Sequence, residues 1–389
     1  MRGSSVMVSW QLASIFQGMN DMKIGVPKEV KPGEGRVAML PDQVTALVTD
    51  GYTVTVEEGA GAASGVENSA YAAAGATMVS TGAEVYATAD LIIKVKEIMP
   101  EEYDFLRPEH VIFTNVHGAA NREQIDKMLE VGLTAIAAEE THPYGSPNSA
   151  LAGEVGAFEG LRLVFAPHGG SGRHFLNHYG APAAEALVIG LGGVGQGALR
   201  TLLKLGVRVK AFDIDRGARR RTLMQWEDSP LQVFDISDLG DHLAEADVIY
   251  NCVLWPKDRD DHLIFRSDLA KLSSTCVIVD ISCDPAGAVE TSRATTWDDP
   301  VYTEEGIRHF CVDNIPGAVP VTASAGYARD LFDNIKLIAR LGALEACRQS
   351  PHLAKGLTCS AGELILAEAG RFQNREFTPV DNFLQRSSA

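Results

Sequence analysis

From Met22 onwards, short apolar runs alternate with segments whose apolar residues recur at helical spacing. Apolar or β-branched runs favour strands, whereas apolar residues at i, i+3 and i+4 favour helices. The pattern predicts strands at 22–26, 53–56, 91–96, 111–115, 134–137, 187–189, 207–212, 248–253 and 277–280. It predicts helices at 41–50, 121–131, 194–205 and 330–349, and a helical piece that begins at 70–74. Repeated β–α units of this kind indicate an α/β protein with parallel sheets covered on both faces.

A chain of 389 residues is too long for one ordinary core and suggests two domains. A loop rich in Gly, Pro and Ser at 143–149 marks the boundary. We predict two Rossmann-like, doubly wound parallel-sheet domains with an interdomain cleft. The domain bounds are 22–150 with 321–389 for a substrate domain, and 151–320 for a dinucleotide-binding domain. Near the end of the chain, Ser360–Glu363 matches a capping box and predicts a last helix.

Composition narrows the class of protein. The chain is 46% hydrophobic and 22% charged, which is ordinary for a globular protein, and its formal net charge of −17 argues against nucleic-acid or anionic-membrane partners. Six scattered cysteines predict buried thiols in a reducing cytoplasm, with neither disulfides nor a metal site. No run approaches the roughly 18 apolar residues of a membrane span. Residues 1–21 have polar breaks that disfavour a signal peptide, so we expect an N-terminal extension.

Three glycines, Gly190, Gly192 and Gly195, follow an apolar run with the spacing G-x-G-x-x-G. The first permits a tight turn, the second lets a pyrophosphate approach the backbone, and the third lets the helix pack on the strand. Gly193 and Val194 stand at the start of that helix, where free N–H groups and the positive dipole end favour phosphates. The segment therefore predicts dinucleotide binding; the alternative is a glycine-rich turn in an α/β sheet.

Asp213 ends the next apolar run, roughly 20 residues further on, as the dinucleotide fingerprint requires. A carboxylate there accepts hydrogen bonds from a ribose diol and repels a 2′-phosphate, so NAD is predicted over NADP. Four arginines close behind, Arg216, Arg219, Arg220 and Arg221, could instead pair with such a phosphate. We interpret them as a solvated helix face.

Three basic side chains in the first domain are candidates for chemistry. Lys96 ends a strand that is otherwise apolar, where a substrate carboxylate or carbonyl would explain it, as would an ion partner such as Glu97. His117 follows the next strand and could be a general acid/base or a structural histidine. Arg36 lies in a glycine-rich loop and offers a planar fork to a carboxylate, or it is simply a surface arginine.

The second domain carries polar residues at two further strand ends. Asp280 and Asp284 flank the end of the strand at 277–280, and Asp313 precedes Asn314. A carboxylate at such an edge could orient a ribose or the cofactor amide, or pair with the catalytic base. Singly, each of these residues could equally be structural.

These residues lie in segments that resemble the alanine dehydrogenase family, which shares its fold with transhydrogenase nucleotide subunits and with saccharopine and opine-forming dehydrogenases. The resemblance runs from about Met22 to Leu384. The segments that carry it are Ile24–Glu29, Arg36–Pro41, Asp90–Glu97, Phe113–His117, Asp280–Asp284, Thr295–Tyr302, Asp313–Pro320 and Leu353–Leu357.

The resemblance implies a role for each candidate. Arg36 and Lys96 would bind a 2-oxo acid, with Lys96 polarising its carbonyl, and His117 would be the acid/base. Asp284 would lie on the nicotinamide and substrate side, and Asn314 would match a cofactor-side position. The resemblance also implies a homo-oligomer, as a hexamer, tetramer or dimer.

We therefore predict an NAD-dependent amino-acid dehydrogenase, which aminates a 2-oxo acid reductively or deaminates an L-amino acid. The segment at 117–121 and the glycine-rich turn at 190–196 depart from the alanine dehydrogenase pattern. The segments at 281–285 and 313–316 lean toward saccharopine and opine-forming enzymes, in which an amino acid supplies the amine. A third hypothesis is a transhydrogenase-like nucleotide-binding subunit without its own reaction. The set of Arg36, Lys96 and His117 argues against it, because a pure binder needs no carboxylate clamp.

Overall fold

A computed structural model describes residues 22–142, 148–256, 259, 261–283 and 287–387. The chain divides into two compact units: unit 1 is Met1–Pro147 with Val319–Ala389, and unit 2 is Asn148–Ala318. The predicted extension at 1–21 lies outside the described residues. The cleft predicted between the two domains, and their assignment to substrate and dinucleotide, stay predictions.

Strands and helices alternate through most of both units. The strands are β1 (Ile24–Val26), β2 (Val54–Glu57), β3 (Thr77–Val79), β4 (Leu91–Ile93), β5 (Val111–Thr114), β6 (Thr134–Ala137), β7 (Glu185–Ile189), β8 (Arg208–Asp213), β9 (Leu231–Asp235), β10 (Val248–Asn251), β11 (Val277–Asp280), β12 (Val301–Glu304), β13 (Ile307–Phe310), β14 (Leu357–Ser360) and β15 (Glu363–Leu364). The helices are α1 (Pro41–Thr49), α2 (Asn68–Ala73), α3 (Gly82–Thr88), α4 (Arg122–Val131), α5 (Ser149–Leu163), α6 (Gly193–Lys204), α7 (Arg216–Gln225), α8 (Leu239–His242), α9 (Pro320–Leu341), α10 (Ala343–Gln349), α11 (Pro351–Gly356), α12 (Ala367–Phe372) and α13 (Val380–Arg386).

Each unit is built on one sheet with the same internal order. The sheet of unit 1 runs β3-β2-β1-β4-β5-β6-β14-β15, and the sheet of unit 2 runs β9-β8-β7-β10-β11-β13-β12. The first six strands of each are parallel, while β14 and β15 in unit 1 and β12 in unit 2 pair antiparallel. This is the doubly wound order, in which the winding direction reverses beside the first strand. The predicted α/β fold class is confirmed.

Central strands are buried on both faces, which is why they read as continuous apolar runs. Every residue of β1, β4, β7, β10 and β11 is buried. Five of the six cysteines are buried too, and Cys283 is partly buried. Within the described part of the chain, no helix is both long and apolar enough to cross a membrane.

Helix α5 was not predicted, because three glycines weaken the helical pattern. Those glycines are required by packing. A Cβ at Gly153 would lie 1.9 Å from the carbonyl oxygen of Val194, and one at Gly197 would lie 1.9 Å from that of Ala150. Helices α5 and α6 therefore pack backbone to backbone, and the close approach holds the start of α6, where the glycine turn ends.

Two predictions near the end of the chain were wrong. In place of one helix at 330–349, the structure has two, α9 and α10. Helix α9 begins at Pro320, and the two are separated by Gly342, whose φ is +76°. The capping box predicted at Ser360–Glu363, as the start of a helix through Arg371, is a hairpin between β14 and β15, and a helix, α12, begins only at Ala367. The two turn residues of the hairpin, Ala361 and Gly362, have φ of +50° and +80°, as a two-residue hairpin turn of the right twist requires.

Candidate active site

Each sheet reverses its winding at one place, and some of the predicted site residues of each unit follow a strand at that place. In doubly wound sheets ligands bind beyond the carboxyl ends of the strands at this reversal. In unit 1 the reversal lies between β1 and β4, and Lys96 comes three residues after β4 ends. In unit 2 it lies between β7 and β10, and the glycine turn follows β7. Each unit thus has its own candidate site.

Two lysines follow β4, and the structure separates their roles. The strand ends at Ile93, so the predicted strand at 91–96 was too long. Lys94 is fully buried, and its Nζ lies 2.7 Å from Glu102 Oε1 and 3.4 Å from Glu29 Oε2. Burial opposes its charge, but these two carboxylates outweigh burial and raise the pKa of Lys94. Lys94 is therefore a structural cation of unit 1.

Lys96 is 5% exposed and is held through its backbone. Its carbonyl accepts the Thr114 hydroxyl at 2.6 Å, and its N–H points to Glu29 Oε1 at 3.4 Å. Glu29 also accepts the N–H of Val95 at 2.6 Å, so one buried carboxylate anchors the segment after β4. Sequence reasoning missed Glu29, because its partners lie 66 and 67 residues further along the chain.

Arg36 is buried, not a surface residue, and its fork already holds a carboxylate of the same chain. Its Nε and Nη2 donate to Glu34 Oε1 and Oε2 at 2.8 and 2.5 Å, and its backbone N–H donates to Oε1 at 2.8 Å. The two side chains are 4% and 0% exposed. Burial opposes the charge of Arg36, but Glu34 outweighs it and raises the pKa of the guanidinium. Glu34 thereby fixes the plane and direction of the arginine, and sequence reasoning missed this partner.

His117 has a left-handed backbone, with φ of +45°. Such a conformation is uncommon outside glycine and costs on the order of 1–3 kcal/mol, so surrounding contacts must hold it. The Glu139 carboxylate accepts the N–H groups of His117 at 2.6 Å and of Val116 at 3.0 Å. The His117 side chain is 40% exposed, with Nε2 3.8 Å from Glu97 Oε1 and Nδ1 3.9 Å from Glu139 Oε1.

The electrostatics around His117 keep the imidazole neutral. Desolvation first, and then the positive charge of Lys96, lower the pKa of His117 to about 4, with smaller contributions from Lys31 and Arg36. Burial opposes ionisation of Glu97, but Lys96, His117 and Lys31 outweigh burial and hold its pKa at about 2. The predicted residues Arg36, Lys96 and His117 are thus electrostatic neighbours. They place two cations, Arg36 paired with Glu34 and Lys96 beside Glu97, next to a neutral base.

The glycine turn of unit 2 has the predicted geometry at each position. Gly190 has φ of +92°, and a Cβ on Gly195 would lie 1.9 Å from the Gly190 carbonyl oxygen. At Gly192 a Cβ would meet nothing within 4 Å, so the space beside the turn is open for a group of a ligand. Helix α6 begins at Gly193, followed by Val194, and no side chain within the described ranges caps it. The turn therefore fits a dinucleotide pyrophosphate on its N–H groups.

Asp213 ends β8 beside this turn. Its carboxylate accepts the N–H groups of Leu191 and Asp215, both at 2.7 Å, which leaves lone pairs on both oxygens. Two of the nearby arginines have local acidic partners. Arg219 lies 2.8 Å from Asp235, and Arg221 lies 3.5 Å from Asp215. These pairs support the interpretation of the arginines as a solvated helix face.

The remaining predicted residues of unit 2 fall in different places. Asp284 lies outside the described residues. Asn314 is 5% exposed, and its backbone carbonyl accepts a hydrogen bond from the indole N–H of Trp297 at 3.1 Å. Asp280 is fully buried and accepts the Asn251 amide at 2.8 Å and the Ser292 hydroxyl at 2.5 Å. This network holds the ends of β10 and β11 together.

Two exposed apolar residues at the same edge were missed by sequence reasoning. Ile214, directly after β8, is 78% exposed, and Leu254, after β10, is 77% exposed. A Cβ at Gly190 would contact Val253 and Cys252, so the segment before Leu254 packs on the glycine turn. An apolar residue just past a strand end is the signal that could have found both.

Comparison with known proteins agrees with this architecture. The chain matches the family models described as alanine dehydrogenase/PNT, N-terminal domain, over residues 25–148, and alanine dehydrogenase/PNT, C-terminal domain, over residues 158–367. It is 34% identical over 376 residues to an alanine dehydrogenase of Bacillus subtilis (strain 168), which covers 95% of this chain and 99% of the relative. An alanine dehydrogenase of Methanococcus maripaludis is 32% identical over 380 residues, covering 93% of this chain and all of the relative.

Solved structures give the same result. An L-alanine dehydrogenase superposes with a TM-score of 0.83 at 33% identity, covering 91% of this chain and 99% of that one. A transhydrogenase from Sinorhizobium meliloti, with a TM-score of 0.71 at 24% identity over 88% of this chain and 99% of that one, shares the fold. The sheets and these matches define a nicotinamide-dinucleotide-dependent oxidoreductase of amino acids. The chain belongs to the alanine dehydrogenase/PNT family, which confirms the predicted family, enzyme class and main function.

Proposed function

We propose that the protein catalyses the reversible oxidative deamination of L-alanine to pyruvate and ammonium with NAD. One observation carries the choice of chemistry: Glu97 lies 3.3 Å from Lys31 and 3.8 Å from His117, and Lys96 and Arg36 also act electrostatically on this imidazole. A 2-oxo acid brings a carboxylate and a polarisable carbonyl, which such a cationic site attracts. The names of relatives at 32–34% identity support alanine as the amino acid.

In this proposal three residues of unit 1 have separate roles in binding the substrate and transferring a proton. Arg36 binds the substrate carboxylate, and Glu34 keeps the guanidinium in its orientation. Lys96 polarises the carbonyl, because an ammonium stabilises the negative charge that develops on oxygen. His117 is neutral near pH 7, since its pKa is lowered to about 4, and so it can take a proton from the amine or from water.

The residues of unit 2 hold the cofactor in this proposal. Gly190, Gly192, Gly193, Val194 and Gly195 bind the pyrophosphate through the turn and the first N–H groups of α6. When bound, the nicotinamide ring supplies or takes up a hydride.

Three further residues of unit 2 bear on the cofactor. Asp213 accepts the ribose hydroxyls and disfavours a 2′-phosphate, which supports NAD over NADP. Asn314 and Asp284 lie on the nicotinamide side in this proposal, as the resemblance implies.

The amine donor is decided by a substrate panel. Purified protein and NADH are mixed with pyruvate and ammonium, and then with pyruvate or 2-oxoglutarate plus lysine or ornithine, while NADH absorbance is followed. We expect oxidation of NADH with pyruvate and ammonium. Turnover only with an amino acid as donor would assign a saccharopine or opine-type reaction, and NADH binding without turnover would favour a transhydrogenase-like subunit.

Assembly and compartment belong to the same proposal. We propose a homo-oligomer, as a hexamer, tetramer or dimer, and exposed apolar residues such as Phe158 and Val321, 56% and 61% exposed, support an interface between copies. The five buried free thiols support a reducing cytoplasm. The native mass of the purified protein tests the first statement directly.

A further inference from the structure

We propose that Glu139 is the positioning residue of His117: its carboxylate accepts the N–H groups of Val116 and His117 and so holds the histidine in its left-handed conformation. The proposal rests on the acid/base role proposed above for His117. It adds a residue that the sequence pattern did not single out.

Strand pairing brings the two residues together. Thr114 at the end of β5 pairs with Ala137 at the end of β6. Two residues beyond these partners, the Glu139 carboxylate meets the backbone of Val116 and His117. Its Oε2 accepts Val116 N–H at 3.0 Å, and its Oε1 accepts His117 N–H at 2.6 Å. One carboxylate therefore binds two successive amides, which fixes the peptide plane between them.

The carbonyl side of the same turn is held by neutral groups. Gln124 Nε2 donates to the Val116 carbonyl at 2.9 Å, and Asn121 Nδ2 donates to the His117 carbonyl at 3.2 Å. Gln124 belongs to α4, and Asn121 is the N-cap residue of that helix. Of these contacts to the turn, only the one from Glu139 involves a group that gains or loses a proton.

Burial is the main factor that decides when Glu139 is ionised. Burial raises the pKa of Glu139 to about 7, although the two backbone N–H groups oppose this, and Glu140 adds to it. Tyr327 also faces Glu139. The carboxylate is thus charged above about pH 7 and protonated below it, and protonation occupies one of the oxygens that bind the amides. The two hydrogen bonds from Val116 and His117 to the Glu139 carboxylate, called the clamp below, therefore weaken as the pH falls through about 7 and the carboxylate takes up a proton.

His117 itself does not titrate in this range. The charged groups that face it are Glu97, Glu139, Lys96, Lys31 and Arg36. Desolvation and Lys96 keep its pKa near 4, so the imidazole stays neutral while Glu139 changes charge. An inflection near pH 7 that disappears in E139Q therefore reports on Glu139 and not on the ring.

The test compares Glu139→Gln with Glu140→Gln in the full-length protein. Glu140 is the next residue and pairs with the exposed Lys355 at 2.6 Å, so its variant carries the same chemical change without touching His117. With L-alanine and NAD, we expect kcat of E139Q to fall about 10- to 100-fold and KM to change by less than about threefold. E140Q should keep the wild-type kcat and its rise with pH, displaced to slightly lower pH because Glu140 adds to the raised pKa of Glu139. The kcat of the wild type should rise through about pH 7, and E139Q should lack that rise.

A spectroscopic readout separates this proposal from the proposed function. In protein labelled with 15N-histidine, with His117→Gln used to assign the signal, the His117 ring shifts should show an inflection near pH 7. E139Q should lose the inflection, and E140Q should keep it. If the wild type has no alanine activity, the proposed function fails while the NMR titration still tests the clamp.

Two outcomes would overturn the role of Glu139: wild-type kcat in E139Q, or an NMR inflection that survives the substitution. If E139Q does not fold, Glu139→Asp takes its place. That variant keeps the charge but shortens the reach, and it should retain the pH inflection with a lower kcat. A wild-type kcat in E139D would contradict the proposal.

Discussion

The two candidate sites lie at the same topological position in their units but are built from different material. The site of unit 2 is made of backbone: a glycine turn and the N-terminus of a helix. The site of unit 1 is made of side chains that are held by other charged side chains, as Arg36 is by Glu34 and His117 by Glu139. The same strand order therefore supports a rigid cradle in one unit and a charge network in the other.

This difference predicts different sensitivities. A backbone cradle tolerates most side-chain changes but no added atom where chain segments touch, because interiors are close-packed. A charge network tolerates small changes of shape but loses function when one charge is removed, because its partner is then left buried and unpaired. Substitutions in the two units can test this contrast.

Removal of a reacting side chain in unit 1 should have the largest effect. Lys96→Ala and His117→Ala should each lower kcat by about 10²- to 10⁴-fold, because a polarising or proton-transferring group is lost. NADH affinity should stay within about threefold of the wild type, since the cradle is in unit 2. Steady-state kinetics and fluorescence titration of NADH measure the two quantities. A variant that keeps most of its activity would remove that residue from the mechanism.

Two glycines of the cradle form a matched pair. A Cβ on Gly195 would lie 1.9 Å from a carbonyl oxygen, whereas one on Gly192 meets nothing within 4 Å. Gly195→Ala should destabilise the fold by about 1–3 kcal/mol or more. Gly192→Ala should leave stability within about 0.5 kcal/mol but weaken NADH binding by about 1.5–3 kcal/mol, because the methyl group obstructs a phosphate contact. Thermal melting and NADH titration separate the two effects, and the reverse pattern would show that the turn does not cradle the cofactor.

The contrast also explains what the sequence could reveal. The shape of the glycine turn was predictable residue by residue, because the geometry at Gly190, Gly192 and Gly195 depends on local spacing. In unit 1 the sequence indicated Lys96 and His117 at strand ends but not Glu29 or Glu139. Those partners depend on which strands become neighbours, and no local pattern contains that information.

The same limit applies to secondary structure. Helix α5 needed Gly153 to approach α6, and Gly156 and Gly160 to leave room for Ile281 and Tyr250. Its packing partners, and not its own propensity, therefore decided its composition. The sequence Ser360–Glu363 fits both a capping box and a hairpin turn in which Ala361 and Gly362 are left-handed. The hairpin forms because β14 pairs with β6. Strands that are buried on both faces were the easiest elements to predict from the sequence, because burial alone makes them apolar along their whole length.

Substitution of the clamped arginine should have an intermediate effect. Arg36→Lys loses the bidentate geometry toward Glu34, and with it the orientation in which the guanidinium meets a substrate carboxylate. We expect KM for pyruvate to rise by about 5- to 150-fold, equivalent to about 1–3 kcal/mol. The kcat should change less. Glu34→Gln keeps one oxygen acceptor and should raise KM less than Arg36→Lys. An unchanged KM in both variants would mean that Arg36 serves only the fold.

The smallest effect is expected at Asp213, where a side chain acts beside the backbone cradle. Asp213→Asn keeps an oxygen for the N–H groups of Leu191 and Asp215 but removes the charge that repels a 2′-phosphate. We expect the ratio of NADH to NADPH affinity to shift toward NADPH by about tenfold, or 1.4 kcal/mol, as measured by titration of both cofactors. Asp228→Asn, an exposed residue of the same unit, changes net charge equally and serves as control. Equal shifts in both variants would assign the effect to general charge, and no shift in D213N would refute the ribose assignment.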